Sequence, residues 1–204
     1  MGKGIGGHHK RVLQPRYHAS QDTETWLTPP WILDALGPFD LDPCTPAKMP
    51  WKTAKRRYTP KEDGLAQPWK GRVWCNPPYG RAAPAWIKKM AHHNNGILMI
   101  FARTETEMFQ KWVWPMAEAI LFMAGRVNFH MPDGSVRGNS GGPSVLIAYG
   151  ENNIEPLWNC GIPGTVILLA HAVHHAGRCT TVNPARRRRI KNQEVQTTLD
   201  MLED

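Results

Sequence analysis

The residues best suited to chemistry form one tetrapeptide, Asn76-Pro77-Pro78-Tyr79. The side-chain oxygen of Asn76 and a carbonyl of the Pro-Pro segment can both accept hydrogen bonds from a planar amino group. The Tyr79 ring can stack on the base that carries this amino group. Because proline has no backbone N–H and a fixed φ, the two prolines remove competing donors and stiffen the loop. This combination favours methylation of an exocyclic nitrogen.

The position of the tetrapeptide supports a binding role. Residues 72–75 are predicted to form a strand that runs into it, and residues 84–92 a helix that follows, with Trp86, Ile87 and Met90 at helical spacing. Ligands of open α/β sheets bind outside the carboxyl ends of the strands. An Asn-Pro-Pro turn alone would be an ordinary turn, so the strand before it and the helix after it favour a site.

Carboxylates upstream of the tetrapeptide suit a cationic cofactor. Asp42, followed by Pro43, ends a predicted strand over residues 39–42 and could counter the ammonium or sulfonium of S-adenosylmethionine. The spacing puts Asp40 on the same strand face, where burial without a ligand or cation is costly. Asp63 either accepts a hydrogen bond from the adenine amino group of the cofactor or forms an Asx turn.

Predicted strands and helices alternate around these positions. A helix is predicted over residues 31–36, with Thr28 as its N-cap and Pro29 and Pro30 at its start. The other predicted elements are strands over 96–102, 119–123 and 144–149, a helix over 106–116, a turn-rich loop over 132–143, and a strand or short helix over 165–170. The pattern predicts an α/β fold with a mixed, mostly parallel sheet and helices on both faces.

Length and charge limit the class of protein. The chain has 204 residues, 41% of them hydrophobic, which fits one globular domain. The net charge of +8 favours a polyanionic partner. No apolar run approaches the roughly 18 residues that cross a membrane, and the N-terminus lacks a secretory hydrophobic region. We therefore expect a cytoplasmic protein that does not contact a membrane.

The chain divides into three predicted parts. Residues 1–22 form a flexible basic arm, residues 23–180 the catalytic domain, and residues 181–204 a basic and polar tail. The tail contains the run from Arg186 to Arg189, which either contacts phosphate or remains solvated.

Cysteine and histidine positions do not favour a metal site. The four cysteines are widely spaced and are expected to be free thiols. A cluster with near-ligand spacing for zinc lacks a second ligand pair, and we expect no metal there; it consists of His171, His174, His175 and Cys179.

Taken in order, these segments resemble the bacteriophage-type DNA N6-adenine methyltransferases, the phage Dam family. The resemblance covers residues 25–150 and includes residues 26–30, 39–44, 58–65, 73–80, 125–129 and 143–146. It implies a Rossmann-like class I methyltransferase that uses S-adenosylmethionine, acts on adenine in double-stranded DNA, and is encoded by a phage or prophage.

The resemblance also implies roles for individual residues. The tetrapeptide would grip an adenine flipped out of the duplex, and the cofactor pocket would be lined by Thr28, Pro29, Pro30, Asp42, Pro43 and Asp63. Arg126 and Phe129 lie in a block that is expected to face the nucleic acid. The chain departs from the family pattern after Asp42, where no Gly-rich loop follows. The short interval between Asp42 and Asn76 leaves no place for a ribose-binding acid on a second strand.

Three alternatives stay open at this point. The same tetrapeptide serves enzymes that methylate RNA bases or protein glutamine. The missing Gly-rich loop would also fit a non-catalytic DNA-binding protein with a degenerate methyltransferase shell. Adenine and cytosine are not distinguished by these residues.

Overall fold

The computed structural model describes residues 26–139 and 141–169. The predicted arm, residues 1–22, and tail, residues 181–204, lie outside the described residues, as does the histidine and cysteine cluster of residues 171–179. The strands are β1 (Leu41–Asp42), β2 (Arg56–Arg57), β3 (Val73–Cys75), β4 (Gly96–Phe101), β5 (Ala119–Met123), β6 (Asn128–His130), β7 (Val136–Asn139), β8 (Ser144–Tyr149) and β9 (Gly164–Leu168). The helices are α1 (Pro30–Leu36), α2 (Ala83–His93), a π-helix (Phe109–Val113), a 3-10 helix (Glu151–Asn153) and α3 (Ile154–Trp158).

A mixed seven-stranded sheet organises the described chain, in the order β2-β1-β3-β4-β8-β5-β9. Parallel pairing joins β2, β1, β3 and β4. Antiparallel pairing joins β4 to β8, β8 to β5 and β5 to β9, and it includes the longer ladders. The α/β class and the mixed sheet are confirmed, but the expected predominance of parallel pairing is not. The reason is that β8 runs between β4 and β5 against their direction, which a continuous apolar pattern does not reveal.

Helices cover both faces of the sheet, as predicted. On one face, α2 and the π-helix bury Ile87 and Phe109. On the other face, α1 and α3 bury Ile32 and Leu157. Every residue of β8 is buried because this strand lies at the centre of both cores.

Two elements differ from the prediction in kind. The helix expected over residues 106–116 is a π-helix at its centre, and the Trp114 N–H donates to the Phe109 carbonyl over 3.1 Å, five residues back. Residues 132–143, expected to be a loop, contain β7, which forms a separate hairpin with β6. Glycine and asparagine in β7 are poor strand formers, so this strand depends on its pairing with β6.

The hairpin of β6 and β7 is closed and anchored by hydrogen bonds. At its tip, the Asp133 carboxylate accepts from the Ser135 N–H over 2.8 Å and from the Ser135 hydroxyl over 2.6 Å. Beside the turn, at the last residue of β6, Leu27 and His130 form an antiparallel bridge, with N–O distances of 3.0 and 3.1 Å. Phe129 is fully buried against Trp26, so the expectation that Phe129 faces nucleic acid is wrong, whereas Arg126 is exposed.

Shorter elements complete the comparison with the sequence. Of the segment predicted as a strand or short helix, residues 165–168 belong to the strand β9, and residue 170 lies outside the described residues. The two-residue strand β2 and the short helix α3 were not predicted, because neither has enough residues to show a period. Within residues 26–139 and 141–169, no helix has the length and apolarity to span a bilayer.

Substitution of Leu146 by alanine tests the central position of β8. Leu146 is fully buried and lies between Met99 of β4 and Leu121 of β5. We expect Leu146→Ala to lower the free energy of unfolding by about 2–5 kcal/mol, measured by urea denaturation. The control is Val136→Ala on the hairpin, where the side chain is 61% exposed and the expected change is within about 0.5 kcal/mol. Equal effects of the two substitutions would contradict this fold.

Candidate active site

A cavity of about 600 Å³ opens at the carboxyl ends of β1 and β3. This volume lies in the usual range for a ligand pocket. Of the residues that the sequence singled out, the cavity wall includes Thr28, Asp42, Pro43, Asp63, Asn76, Pro77, Pro78 and Tyr79. Pro29 and Pro30 start α1 next to Thr28 and are not part of the wall. The fold thus brings residues from distant parts of the sequence to one cavity.

The carboxamide of Asn76 is held in one orientation. Its Nδ2 donates to the Trp26 carbonyl over 3.0 Å and to the Thr28 hydroxyl oxygen over 3.1 Å. An amide nitrogen carries two hydrogens, so both are used. The Oδ1 atom is buried and has no hydrogen-bond partner among the described residues. Since Asn76 lines the cavity, this geometry provides one unused acceptor at the cavity wall.

Thr28 has a different structural role from the predicted one. The N-cap of α1 is Pro29, and no side chain caps this helix, so the assignment of Thr28 as N-cap is wrong. The proline at the helix start already lacks an N–H that would need a cap. The Thr28 hydroxyl accepts from Asn76 instead. Thr28 is therefore positioned to orient the carboxamide.

The Tyr79 ring is supported from behind. It stacks on Phe101 at the end of β4, with ring centroids 4.4 Å apart and an interplanar angle of 16°. The Phe101 ring also packs against Gly142, where a Cβ atom would lie 3.3 Å from the ring. Burial raises the pKa of the Tyr79 hydroxyl above its ordinary value. Tyr79 therefore presents a neutral, braced aromatic ring to the cavity.

Asp42 provides the carboxylate of the cavity wall. It is 4% exposed, and its Oδ2 accepts from the Thr53 hydroxyl over 2.6 Å, while its Oδ1 accepts from the Cys44 N–H over 3.1 Å. Burial raises the pKa of Asp42 above its ordinary value, although these hydrogen bonds oppose the shift. Asp40, in contrast, lies outside the cavity, where it pairs with Lys55. The two carboxylates are therefore separated rather than placed in one site.

The Asp63-Gly64 turn packs against the strand end that carries Asp42. The Asp63 carboxylate accepts from the Leu65 N–H over 3.1 Å, which forms the Asx turn that was one of its two interpretations. A Cβ atom on Gly64 would lie 1.8 Å from the Pro43 carbonyl oxygen, so only glycine allows this approach. Close packing against Pro43 therefore requires glycine at position 64. Asp63 also lines the cavity.

Several residues of the site carried no signal in the sequence. Thr53 donates a hydrogen bond to Asp42, and the Phe101 ring stacks on Tyr79. In each pair, the two residues are separated by more than ten positions in the sequence. The Cys44 thiol lies 3.6 Å from the Cys75 thiol and 3.3 Å from the Asn76 carbonyl, and burial raises its pKa well above the ordinary value. A protonated thiol at this position is a weak nucleophile and packs behind the tetrapeptide.

Comparison with known families agrees with this geometry. A family model described as DNA N-6-adenine-methyltransferase (Dam) matches residues 17–157. The chain belongs to this family. The enzyme therefore methylates N6 of adenine in DNA, and the resemblance to phage-type Dam methyltransferases is confirmed. No curated protein and no solved structure matches the chain.

Family membership decides between the alternatives that the sequence left open. DNA adenine is the substrate, rather than an RNA base, cytosine or protein glutamine, and the chain is an enzyme rather than a degenerate shell. The family also implies S-adenosylmethionine as methyl donor. A buried carboxylate and an unused amide acceptor in one cavity fit a cationic donor and an amino-group substrate.

Substitution of Thr28 tests its orienting role. Thr28→Val keeps the shape but removes the acceptor for Asn76, so the carboxamide can rotate. A hydrogen bond of this kind contributes about 1 kcal/mol, and we expect methylation of DNA to slow about fivefold to tenfold. Thr28→Ser keeps the hydroxyl and should retain most of the wild-type kcat. Equal rates for the two variants would show that Thr28 does not orient Asn76.

Substitution of Phe101 tests the support of Tyr79. Phe101→Leu removes the stacked ring, worth about 0.5–1.5 kcal/mol, and should lower kcat about threefold to tenfold. The matched control is Phe122→Leu on β5, which is outside the cavity wall and should leave kcat unchanged after correction for folded fraction. The measurement is steady-state methylation with labelled donor. A drop of the same size in both variants would argue against a specific brace.

Proposed function

We propose that the cavity next to Asn76 is the active site in which the enzyme methylates an adenine flipped out of double-stranded DNA. The observation that carries this proposal is the buried, unpartnered Oδ1 of Asn76, whose Nδ2 is already used. Oδ1 would accept one hydrogen bond from the adenine N6 amino group. Pro77 is another residue of the cavity wall, and its carbonyl would accept the second.

The two acceptors would prepare N6 as a nucleophile. When both amino hydrogens are held in fixed directions, the nitrogen lone pair loses conjugation with the ring and can point at the methyl donor. Tyr79 would stack on the adenine with the face that Phe101 does not cover. This stacking would offset the few kcal/mol that leaving the duplex costs. N6 would form its bond to the methyl carbon as the carbon–sulfur bond of the sulfonium breaks and the sulfur leaves as a neutral thioether. N6 would then lose a proton to solvent, so no strong base is required.

We assign the cofactor to the part of the same cavity that Asp42 and Pro43 line. S-adenosylmethionine, when bound, supplies a methyl group activated by a sulfonium. Asp42 and Pro43 would bind it, because the Asp42 carboxylate is buried and lines the cavity with hydrogen-bonded support from Thr53. Asp63 would contribute at the neighbouring turn. Thr28, Pro29 and Pro30, which the resemblance assigns to the cofactor pocket, would act mainly by holding Asn76 and starting α1.

The topology supports a Rossmann-like assignment for this fold. The cavity lies at the carboxyl ends of parallel strands, with helices on both faces of the sheet, as in open α/β nucleotide-binding folds. We further propose residues 23–180 as the methyltransferase domain, residues 1–22 and 181–204 as basic extensions that add affinity for DNA, and the host cytoplasm as the site of action.

Substitution of Asn76 by alanine tests the proposal. The variant removes the acceptor without filling the cavity, and loss of one such group typically costs about 10²–10³ in kcat. We expect S-adenosylmethionine to bind with unchanged affinity by calorimetry while methylation of duplex DNA falls by this factor. The matched control is Asn152→Ala, an exposed asparagine of the 3-10 helix, which should retain full activity. Normal activity of Asn76→Ala would overturn the role of Asn76.

A further inference from the structure

Exposed arginines follow the strands that end around the cavity. The strands β1 to β5 run in one direction, since β5 and β4 are both antiparallel to β8. Their carboxyl ends therefore share the edge of the sheet where the cavity opens. Arg57 ends β2, Arg81 follows the tetrapeptide after β3, Arg103 follows β4 and Arg126 follows β5, and all four are exposed.

Within the described part of the chain, no carboxylate forms an ion pair with any of these arginines. The ion pairs found within the described part of the chain are Lys55 with Asp40 and Lys111 with Glu107. None of the four arginines is in an ion pair with a carboxylate of residues 26–139 or 141–169. An exposed guanidinium outside any ion pair retains its five donors for an external anion.

The acids of the same edge are held by local hydrogen bonds. The Glu62 carboxylate accepts from the N–H and the hydroxyl of Thr59, at 2.7 and 2.6 Å. Asp63 and Asp133 accept from the backbone of their own turns. Glu105 is two residues beyond Arg103, and the next acid along this loop, Glu107, pairs with Lys111. Glu62, Asp63 and Asp133 therefore close turns, and Glu107 is paired with a lysine.

Acidic residues also lie at the opposite edge of the sheet. Asp40 precedes β1, Glu118 precedes β5, and Glu151 follows β8, whose carboxyl end points away from the cavity. Lys55 and Lys70 are on this side too, before β2 and β3. At the cavity edge, in contrast, four exposed arginines carry positive charge that no carboxylate of the described residues pairs with.

We propose that Arg57, Arg81, Arg103 and Arg126 form a phosphate-binding rim that holds the DNA backbone around the target adenine. This inference rests on the proposed function, because it takes the cavity as the place where the flipped base enters. A flipped base remains attached to its backbone, so the phosphates on either side of it must pass over the mouth of the cavity. Guanidinium groups bind phosphate in bidentate geometry and fix the register of the duplex without reading bases.

A salt titration of DNA binding tests the rim. The variant is Arg81→Gln with Arg103→Gln in the full chain, and the control is Lys55→Gln with Lys70→Gln, which removes the same charge from the opposite edge. Affinity for a short fluorescent duplex is measured without cofactor over a range of potassium chloride concentrations. The logarithm of the association constant falls linearly with the logarithm of the salt concentration. Removing one arginine that binds a phosphate should reduce the magnitude of this negative slope by about 0.9.

For the arginine variant, we expect the magnitude of the slope to be smaller by about 2. We also expect its affinity for the duplex to be about tenfold to a hundredfold weaker near 0.1 M salt. The lysine control should keep the wild-type slope within about 0.5. A second double variant, Arg57→Gln with Arg126→Gln, should show the same change. It replaces the first variant if circular dichroism shows that the first variant is poorly folded. Equal slopes for arginine and lysine variants, or an unchanged affinity in both arginine pairs, would overturn the rim.

The readout separates this inference from the proposed function. Binding is measured without methyl transfer, so a defect in the rim appears even if the catalytic assignment of Asn76 fails. Conversely, the expected loss of methylation in Asn76→Ala together with unchanged salt slopes in the arginine variants would overturn the rim alone.

Discussion

The proposed active site depends on the orientation of one side-chain amide. Asn76 Nδ2 donates to the Trp26 carbonyl and the Thr28 hydroxyl, which leaves Oδ1 without a hydrogen-bond partner among the described residues. If the amide were rotated by half a turn, its oxygen would face the Trp26 carbonyl, another acceptor, and the cavity would present a donor. A donor suits a ring nitrogen, whereas an acceptor suits an amino group. Under the proposed function, the hydrogen bonds that hold Asn76 Nδ2 therefore favour an amino group as the ligand of Oδ1.

This constraint depends on parts of the chain that are distant in sequence. The backbone around Trp26 is held by the bridge between Leu27 and His130, which lies beside the turn of the β6–β7 hairpin. Beyond the same hairpin, Gly142 contacts the ring of Phe101, which stacks on Tyr79. The segment that includes the hairpin thus supports both the acceptor and the stacking ring. We infer that its anchoring keeps the two groups aligned in the absence of substrate.

The sequence was most informative where a signal is local. The tetrapeptide, the carboxylate at the end of β1 and the Asp63-Gly64 turn each combine special backbone chemistry with a short spacing, and all line one cavity. The helix α1 was predicted from the prolines at its start, α2 from apolar residues at helical spacing, and the strands β4, β5 and β8 from apolar runs. The contacts of Thr53 and Phe101 could not be predicted, because they join positions that only the folded sheet brings together.

The direction of β8 could not be predicted either, because a fully buried strand is apolar whichever way it runs. The two residues of β2 and the Gly-containing β7 form strands because a neighbour pairs with them, not because of their own propensity.

A crystal structure of the enzyme with duplex DNA and S-adenosylhomocysteine would test most directly whether Asn76 receives the base. We predict that the target adenine lies outside the duplex, with its N6 about 2.7–3.2 Å from Asn76 Oδ1 and with Nδ2 still bonded to Trp26 and Thr28. An adenine bound elsewhere, or an Asn76 amide turned so that Nδ2 faces the base, would contradict this assignment.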